Sequence, residues 1–130
     1  MPGLIQALHD QKLILTVATS KLTEFAEEIL AYFNIRQFFE LVVGSNLDGT
    51  RTSKTEIIGY ILHQYPHYKL DDFIMIGDRK HDIIGANNTG IHSIGVTYGY
   101  GSLEELTQSN PTYIVHHIDQ LKEILMGLGV

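Results

Sequence analysis

Residues 72–82 read DFIMIGDRKHD, an apolar run that ends in glycine and is followed by two aspartates four positions apart. The run is continuously apolar instead of alternating, which predicts a strand covered on both faces, as in parallel α/β sheets. Asp78 falls at the end of that strand. Asp82 falls in the first turn of a predicted helix over 80–89, which Gly90 ends. A strand, a tight turn and a helix therefore follow one another here.

The same rhythm repeats along the chain. Further strands are predicted at 13–19, 39–45, 91–99 and 113–117, with helices at 21–33, 53–65, 102–108 and 119–127. This alternation predicts an α/β fold, a doubly wound three-layer α/β/α domain with a mostly parallel sheet, formed by residues 1–130 as one domain. The apolar stripes of the helices are predicted to be core, including Leu22, Phe25, Ala26, Ile29, Leu30 and Phe33.

Composition narrows the functional classes. The 130 residues carry a net charge of −6 and no cysteine. The negative charge argues against nucleic-acid binding, which depends on neutralising phosphates with Lys and Arg. The lack of cysteine excludes thiolate catalysis and disulfides. We find no apolar run of ~20 residues that could span a membrane and no signal-peptide pattern. We therefore expect a cytoplasmic protein without a membrane or nucleic-acid partner.

In such folds, ligands bind at the carboxyl ends of the strands. Asp78 and Asp82 converge at one of these ends, and carboxylate oxygens are the ligands that Mg²⁺ prefers. An Asp in a first helical turn can instead simply cap the helix, and for Asp82 alone that explanation suffices. The pair directly after a buried strand favours a metal site.

Two further positions could bind phosphate. Thr19 is predicted to end the first strand and, with Ser20, to open the next helix, where a hydroxyl and backbone amides can hold a phosphoryl group. An ordinary helix cap is the alternative. Lys54 begins a helix, where a cation is electrostatically unfavourable, so neutralising a phosphoryl group would explain it. A solvated surface lysine is the simpler alternative.

The order Thr19, Lys54, then Gly77-Asp78-x3-Asp82 resembles the second, third and fourth motifs of the haloacid dehalogenase superfamily. Four segments are similar to the sequences of its phosphoglycolate phosphatase-like branch: VATSK, GSNLDGTRTSKTEII, MIGDRKHDIIGA and GIHSIGVTYGYGS. The resemblance covers nearly the whole chain. It implies Mg²⁺-dependent hydrolysis of a small phosphorylated metabolite through a phospho-aspartyl intermediate.

The resemblance also implies roles for the matching residues. Thr19 would hold the phosphoryl group with Ser20, and Lys54 would neutralise negative charge. Asp78 would ligate Mg²⁺, and Asp82 would ligate or position the metal or its waters. The loop 98–102 is expected to lie near that site.

One motif of the family is missing. The family places a D-x-D nucleophile motif and then a cap ahead of the segment similar to Pro2-Gly3, so we expect this chain to lack both and to be inactive or weakly active. The sequence Asn46-Leu47-Asp48-Gly49-Thr50 looks like the motif. However, an amide is not a competent nucleophile, and the segment lies between the second and third motifs. We interpret it as a turn made by Asp48-Gly49.

The missing motif leaves two questions open. The chain could be the incomplete core of an enzyme, or a non-catalytic α/β domain that binds Mg²⁺, phosphate or a protein partner. In the family the missing strand lies between the strands predicted at 13–19 and 72–78. Because unpaired strand edges are costly, we expect either that these two strands pair directly, or that a second copy or a complementing chain covers the gap.

Overall fold

The computed structural model describes residues 2–128 and confirms the α/β class. The five strands are β1 (Thr16–Leu22), β2 (Leu41–Ser45), β3 (Ile74–Gly77), β4 (His92–Val96) and β5 (Tyr113–Val115). The helices are α1 (Pro2–Asp10), α2 (Thr23–Tyr32), α3 (Lys54–His63), α4 (Lys80–Thr89), α5 (Leu103–Gln108) and α6 (Ile118–Leu128). Every strand pairing among these residues is parallel. No helix within residues 2–128 is long and apolar enough to cross a membrane.

The strands form two sheets instead of one. β1 pairs with β2, and β3, β4 and β5 form a second sheet in that order. Of the two expected arrangements, direct pairing of the strands predicted at 13–19 and 72–78 is therefore wrong, and cover by a second copy or a complementing chain stays a prediction. The reason lies in the helices, because α3 packs on β1 and β2, α4 packs on β3 and β4, and the two helices pack on each other. Their contact fixes the spacing of the two sheets.

Each sheet has its own core. Val43 of β2 packs with Ile57 and Ile61 of α3. On the neighbouring side of α3, Ile58 packs with Ala86 of α4 and with Ile91. The largest cluster covers β4 and β5 with helices α1 and α6, and its buried members are Leu4, Leu8, Ile94, Val96, Val115, Leu121 and Leu125. Helix α3 thus contributes apolar side chains to both sheets.

The prediction for helix α2 is partly wrong. The helix runs over Thr23–Tyr32 instead of 21–33, and only Ala26 of its apolar stripe is buried. Phe25, Ile29 and Phe33 are exposed. The helix packs on β1 and β2 through the face that carries Ala26, while Leu30 is partly buried.

The first strand also differs from its prediction. β1 runs over Thr16–Leu22 with an irregular register between Ala18 and Leu22, so the chain stays extended for several residues beyond Thr19. Helix α2 begins at Thr23, whose Oγ1 accepts a hydrogen bond from Gly44 N at 3.0 Å. A side chain at Gly44 would collide with the Lys21 carbonyl, so this glycine lets β2 pass the irregular end of β1.

Candidate functional site

A buried ion pair lies at the carboxyl ends of β1 and β3. Ser53 caps helix α3 by accepting a hydrogen bond from Glu56 N at 3.2 Å, which places Lys54 at the first helical position. Lys54 Nζ donates to Asp82 Oδ1 at 2.5 Å and to the Ala18 carbonyl at 3.2 Å. The two charged side chains are 12% and 9% exposed. Lys54 is therefore not a solvated surface lysine, and it joins β1 to α4.

Asp82 binds Lys54 and also stabilises the first turn of α4. Its Oδ2 accepts a hydrogen bond from Arg79 N at 3.3 Å. The capping explanation and the ion pair thus both apply to this residue. A side chain at Gly77 would collide with the Asp82 carboxyl group. The glycine before Asp78 is what allows Asp82 to fold against the end of β3.

Asp78 directly follows β3, and a loop holds its carboxylate. Asp78 Oδ2 accepts a hydrogen bond from Tyr100 N at 2.9 Å. Side chains at Gly99 and Gly101 would collide with the Asp78 side chain and its carbonyl, so both glycines permit the close approach. The loop 98–102 therefore lies at this site, as expected. Within residues 2–128, no donor hydrogen-bonds to Asp78 Oδ1, which leaves that oxygen available to a ligand.

Thr19 and Ser20 lie beside the ion pair. The prediction that they open the helix is wrong, because both belong to β1. Thr19 Oγ1 accepts a hydrogen bond from Lys21 N at 3.2 Å, so its hydroxyl hydrogen can still be donated. Thr19 directly follows Ala18, whose carbonyl Lys54 contacts. The structure thus brings Thr19, Lys54 and Asp82 to the end of the sheet where Asp78 lies.

The donor set suits Mg²⁺ in part. Magnesium commonly takes one or two carboxylates and completes its shell with waters and substrate phosphate. Asp78 Oδ1 fits as one such ligand. Each oxygen of Asp82 already accepts one hydrogen bond, Oδ1 from Lys54 and Oδ2 from Arg79, and its role in ligating or positioning the metal stays a prediction. No group of three or more acidic or histidine residues suited to a metal occurs in the part of the chain that the structure describes.

The loop that resembles a nucleophile motif forms a turn. Asp48 Oδ1 accepts hydrogen bonds from Thr50 N at 3.0 Å and from Thr50 Oγ1 at 2.7 Å, which lower the pKa of Asp48. Gly49 has a φ of 84°, as a turn of this kind requires. Arg51 donates to the Gly44 carbonyl and lies over the ring of Tyr60. The loop therefore leads from β2 to Ser53 and Lys54.

A second ion pair fastens α5 to the start of α4, and sequence reasoning missed it. Glu105 Oε2 accepts hydrogen bonds from Arg79 Nε at 3.0 Å and from Lys80 N at 2.8 Å. These bonds lower the pKa of the Glu105 carboxyl group. Ser102 caps α5 by accepting a hydrogen bond from Glu105 N. The loop 98–102 is therefore fixed at Tyr100 by Asp78 and at Ser102 by the start of α5. From the sequence alone only the Ser102 cap could be predicted, because Arg79 and Glu105 are 26 positions apart.

Comparison with known protein families identifies the family of this chain. The model of the haloacid dehalogenase-like hydrolase family matches residues 1–96. The chain therefore belongs to the haloacid dehalogenase-like hydrolases.

Relatives in the family carry different names. The chain is 41% identical over 125 residues to a 5′-nucleotidase of Pseudomonas aeruginosa and 38% identical over 113 residues to the tyrosine-protein kinase PtkA of Mycobacterium tuberculosis. It is 28% identical over 121 residues to the phosphoglycolate phosphatase of Vibrio parahaemolyticus. These matches cover 96%, 85% and 93% of this chain but only 56%, 38% and 53% of the relatives. The chain thus spans about half, or less, of their length.

The fold agrees with solved structures. The crystal structure of a protein from Clostridium difficile that is described as a phosphatase superposes on this chain with a TM-score of 0.91 at 53% sequence identity. The match covers 96% of this chain and 58% of that protein. The likeness supports the recognition of the haloacid dehalogenase fold from the motifs around Thr19, Lys54 and Asp78.

Proposed function

We propose that this chain forms the phosphate-binding and metal-binding part of a Mg²⁺-dependent phosphate monoester hydrolase. The observation that carries the proposal is the buried pair of Lys54 and Asp82 beside the free oxygen of Asp78, all at the carboxyl ends of two parallel strands. The phosphatase names among the relatives support the reaction class. A small phosphorylated metabolite is the proposed substrate.

Each residue has a task in this proposal. Lys54 offers a buried ammonium that neutralises phosphoryl oxygens, while its bond to Asp82 keeps it in place. Thr19 can donate its hydroxyl hydrogen to a phosphoryl oxygen, and Ser20 is exposed beside it. Asp78 Oδ1 would ligate Mg²⁺, with Tyr100 N fixing the carboxylate. The metal, when bound, would stabilise negative charge on the phosphate.

A nucleophile is not available among these side chains. Asp82 is paired with Lys54, Asp78 is assigned to the metal, and Asp48 is held in its turn. In this proposal, turnover uses a nucleophile other than these three carboxylates. In the alternative, the chain binds Mg²⁺ and phosphate without turnover.

The metal assignment is testable on the chain alone. Titration with Mg²⁺, followed by NMR, should shift the amides around Asp78, and Asp78→Asn should weaken binding by about tenfold or more, which is ~1.4 kcal/mol. Asp71→Asn is the matched control, because Asp71 is exposed just before the other end of β3. Equal binding by both variants would contradict the assignment.

An activity assay tests the nucleophile assignment separately. We expect no hydrolysis of p-nitrophenyl phosphate by the 130-residue chain with Mg²⁺. Turnover that Asp78→Asn abolishes would show that the chain contains a nucleophile that we have not assigned.

A further inference from the structure

Arg79 introduces a positive charge beside the oxygen that we assign to Mg²⁺. The residue directly follows Asp78, and its side chain is 44% exposed. A guanidinium is always charged, and its planar fork binds carboxylates. Asp78 Oδ1, which accepts no hydrogen bond within residues 2–128, is therefore a partner within reach of Arg79. A guanidinium bound to this oxygen would compete with Mg²⁺.

Glu105 binds this guanidinium instead. A single carboxylate oxygen, Glu105 Oε2, accepts hydrogen bonds from Arg79 Nε at 3.0 Å and from Lys80 N at 2.8 Å. Across the part of the chain that the structure describes, the Arg79 guanidinium donates no other hydrogen bond. The direction in which Arg79 points is therefore set by Glu105.

The Glu105 carboxylate is itself held in place. Glu105 N donates to Ser102 Oγ at 3.0 Å in the first turn of α5, and the Glu105 side chain is only 22% exposed. A Cβ atom at the buried Gly101 would lie 3.1 Å from Glu105 Oε2 and would collide with the Asp78 carbonyl. Glu105 and the backbone of Asp78 thus lie on either side of Gly101, in close contact with it.

Arg79 is attracted to the carboxylates of the site as well as to Glu105. The bond to Glu105 and the charge of Glu105 raise the pKa of Arg79 most, and the charges of Asp78 and Asp82 raise it further. Both oxygens of Asp82 already accept a hydrogen bond. Without Glu105, Asp78 is therefore the more open of the two remaining partners.

We propose that Glu105 is a positioning residue that keeps Arg79 away from Asp78 and so keeps Asp78 Oδ1 open to Mg²⁺. Glu105 acts through Arg79 instead of binding the metal itself. The consequence for Mg²⁺ rests on the proposed function, whereas the position of the Arg79 side chain does not. Residues of this kind, which orient a metal ligand from the next shell outward, typically affect metal affinity about 10–100-fold.

A purely structural role of Glu105 is the alternative. Glu105 joins α5 to the start of α4, so its loss could loosen the turn at Asp78 whatever Arg79 does. The two explanations differ in the effect of a second substitution. If Arg79 is the competing cation, Arg79→Ala restores the metal affinity of a Glu105 variant. If Glu105 only holds the turn, the affinity stays low.

The first test is the Mg²⁺ affinity of the 130-residue chain, measured by NMR titration of the amides around Asp78. Glu105→Ala should weaken binding about tenfold or more. The double variant Glu105→Ala with Arg79→Ala should return to within about threefold of the wild type, which is ~0.7 kcal/mol. Glu104→Ala is the matched control, because Glu104 is the exposed neighbour of Glu105 on α5, and it should bind like the wild type.

The second test needs no metal. In a crystal structure of Glu105→Ala without Mg²⁺, the Arg79 guanidinium should lie within about 3.5 Å of the Asp78 carboxylate. An Arg79 side chain that stays away from Asp78 in this variant would overturn the proposal. If Glu105→Ala does not fold, Glu105→Gln removes the charge, keeps an oxygen acceptor and should show the same rescue by Arg79→Ala.

Two affinity results would also overturn the proposal. The first is a Glu105→Ala chain that binds Mg²⁺ as tightly as the wild type. The second is a double variant that binds as weakly as Glu105→Ala alone, which would leave Glu105 a structural role only. A wild type that does not bind Mg²⁺ would contradict the proposed function instead, and the metal-free structure would then decide the position of Arg79.

Discussion

At the scale of single residues, the pairing of Lys54 with Asp82 organises the site. Both side chains are nearly buried, and a buried charge is tolerated only when it is paired. Lys54 also contacts the Ala18 carbonyl, so one ammonium connects a strand of the first sheet to a helix of the second. Its placement serves stability as well as the proposed phosphate binding.

Breaking this pair should be costly. Lys54→Met leaves Asp82 buried without its partner and should lower the free energy of unfolding by about 3–5 kcal/mol. The double variant Lys54→Met with Asp82→Asn should recover much of that loss, because no uncompensated charge remains. Urea unfolding of the two single variants and the double variant forms a double-mutant cycle. Strictly additive losses would show that the two side chains do not interact.

The Glu105 carboxylate makes stability depend on pH. Its hydrogen bonds from Arg79 and Lys80 lower its pKa below the usual 4.5 in the folded state. The resulting stabilisation is present above the pKa of the unfolded chain and is lost as the pH falls through the folded value. Glu105→Gln should therefore lower the melting temperature at pH 7, and the difference from the wild type should shrink as the pH falls below the usual carboxyl pKa of 4.5. A difference that stays constant as the pH falls would rule out this linkage.

At the scale of elements, the contact between α3 and α4 holds the two sheets together. A side chain at Gly85 of α4 would lie 3.0 Å from Ile58 Cδ1 and 3.2 Å from the Lys54 backbone. Gly59 of α3 has nothing within 4 Å of the corresponding position. The two glycines lie within helices of equal length, so they form a matched pair.

Alanine at these glycines should have opposite effects. Gly59→Ala should raise the free energy of unfolding by about 0.8–1 kcal/mol through helix propensity. Gly85→Ala gains the same propensity but crowds the contact between the helices, which costs ~1–3 kcal/mol, so a net loss is expected. Thermal or urea unfolding measures both. An equal gain for the two variants would mean that α3 and α4 are not in close contact.

Local signals explain which elements could be predicted. The apolar positions Ile57, Ile58 and Ile61 lie within one helix that begins at Lys54, so the sequence alone located α3. The end of β1 could not be located in this way, because its irregular register depends on Gly44 and Thr23 in neighbouring elements. Short-range patterns do not contain such contacts.

The same distinction applies to the site. Gly77, Asp78 and Asp82 are close in sequence, and their arrangement follows from one strand, turn and helix. The bond from Tyr100 N to Asp78 and the fastening of Arg79 by Glu105 join residues more than 20 positions apart. Helix α1 was not predicted from the sequence, and its buried Leu4 and Leu8 belong to the core through their contact with α6 and β4, which lie far away in the sequence.

At the scale of the whole molecule, two parallel sheets bring the polar residues at their carboxyl ends to one site. The chain belongs to the haloacid dehalogenase-like hydrolases and spans about half of the matched phosphatases. Lys54 joins the two sheets at this site, because it contacts the Ala18 carbonyl of β1 and Asp82 of α4 and is also the residue assigned to the phosphate in our proposal.

The most direct test of the central claim is the affinity of the 130-residue chain for inorganic phosphate, measured by calorimetry with and without Mg²⁺. A joint site at Asp78 and Lys54 predicts that Mg²⁺ tightens phosphate binding by about tenfold or more, which is ~1.4 kcal/mol, and that Asp78→Asn removes this coupling. Phosphate binding that is the same with and without Mg²⁺, or a coupling that survives in Asp78→Asn, would contradict the account.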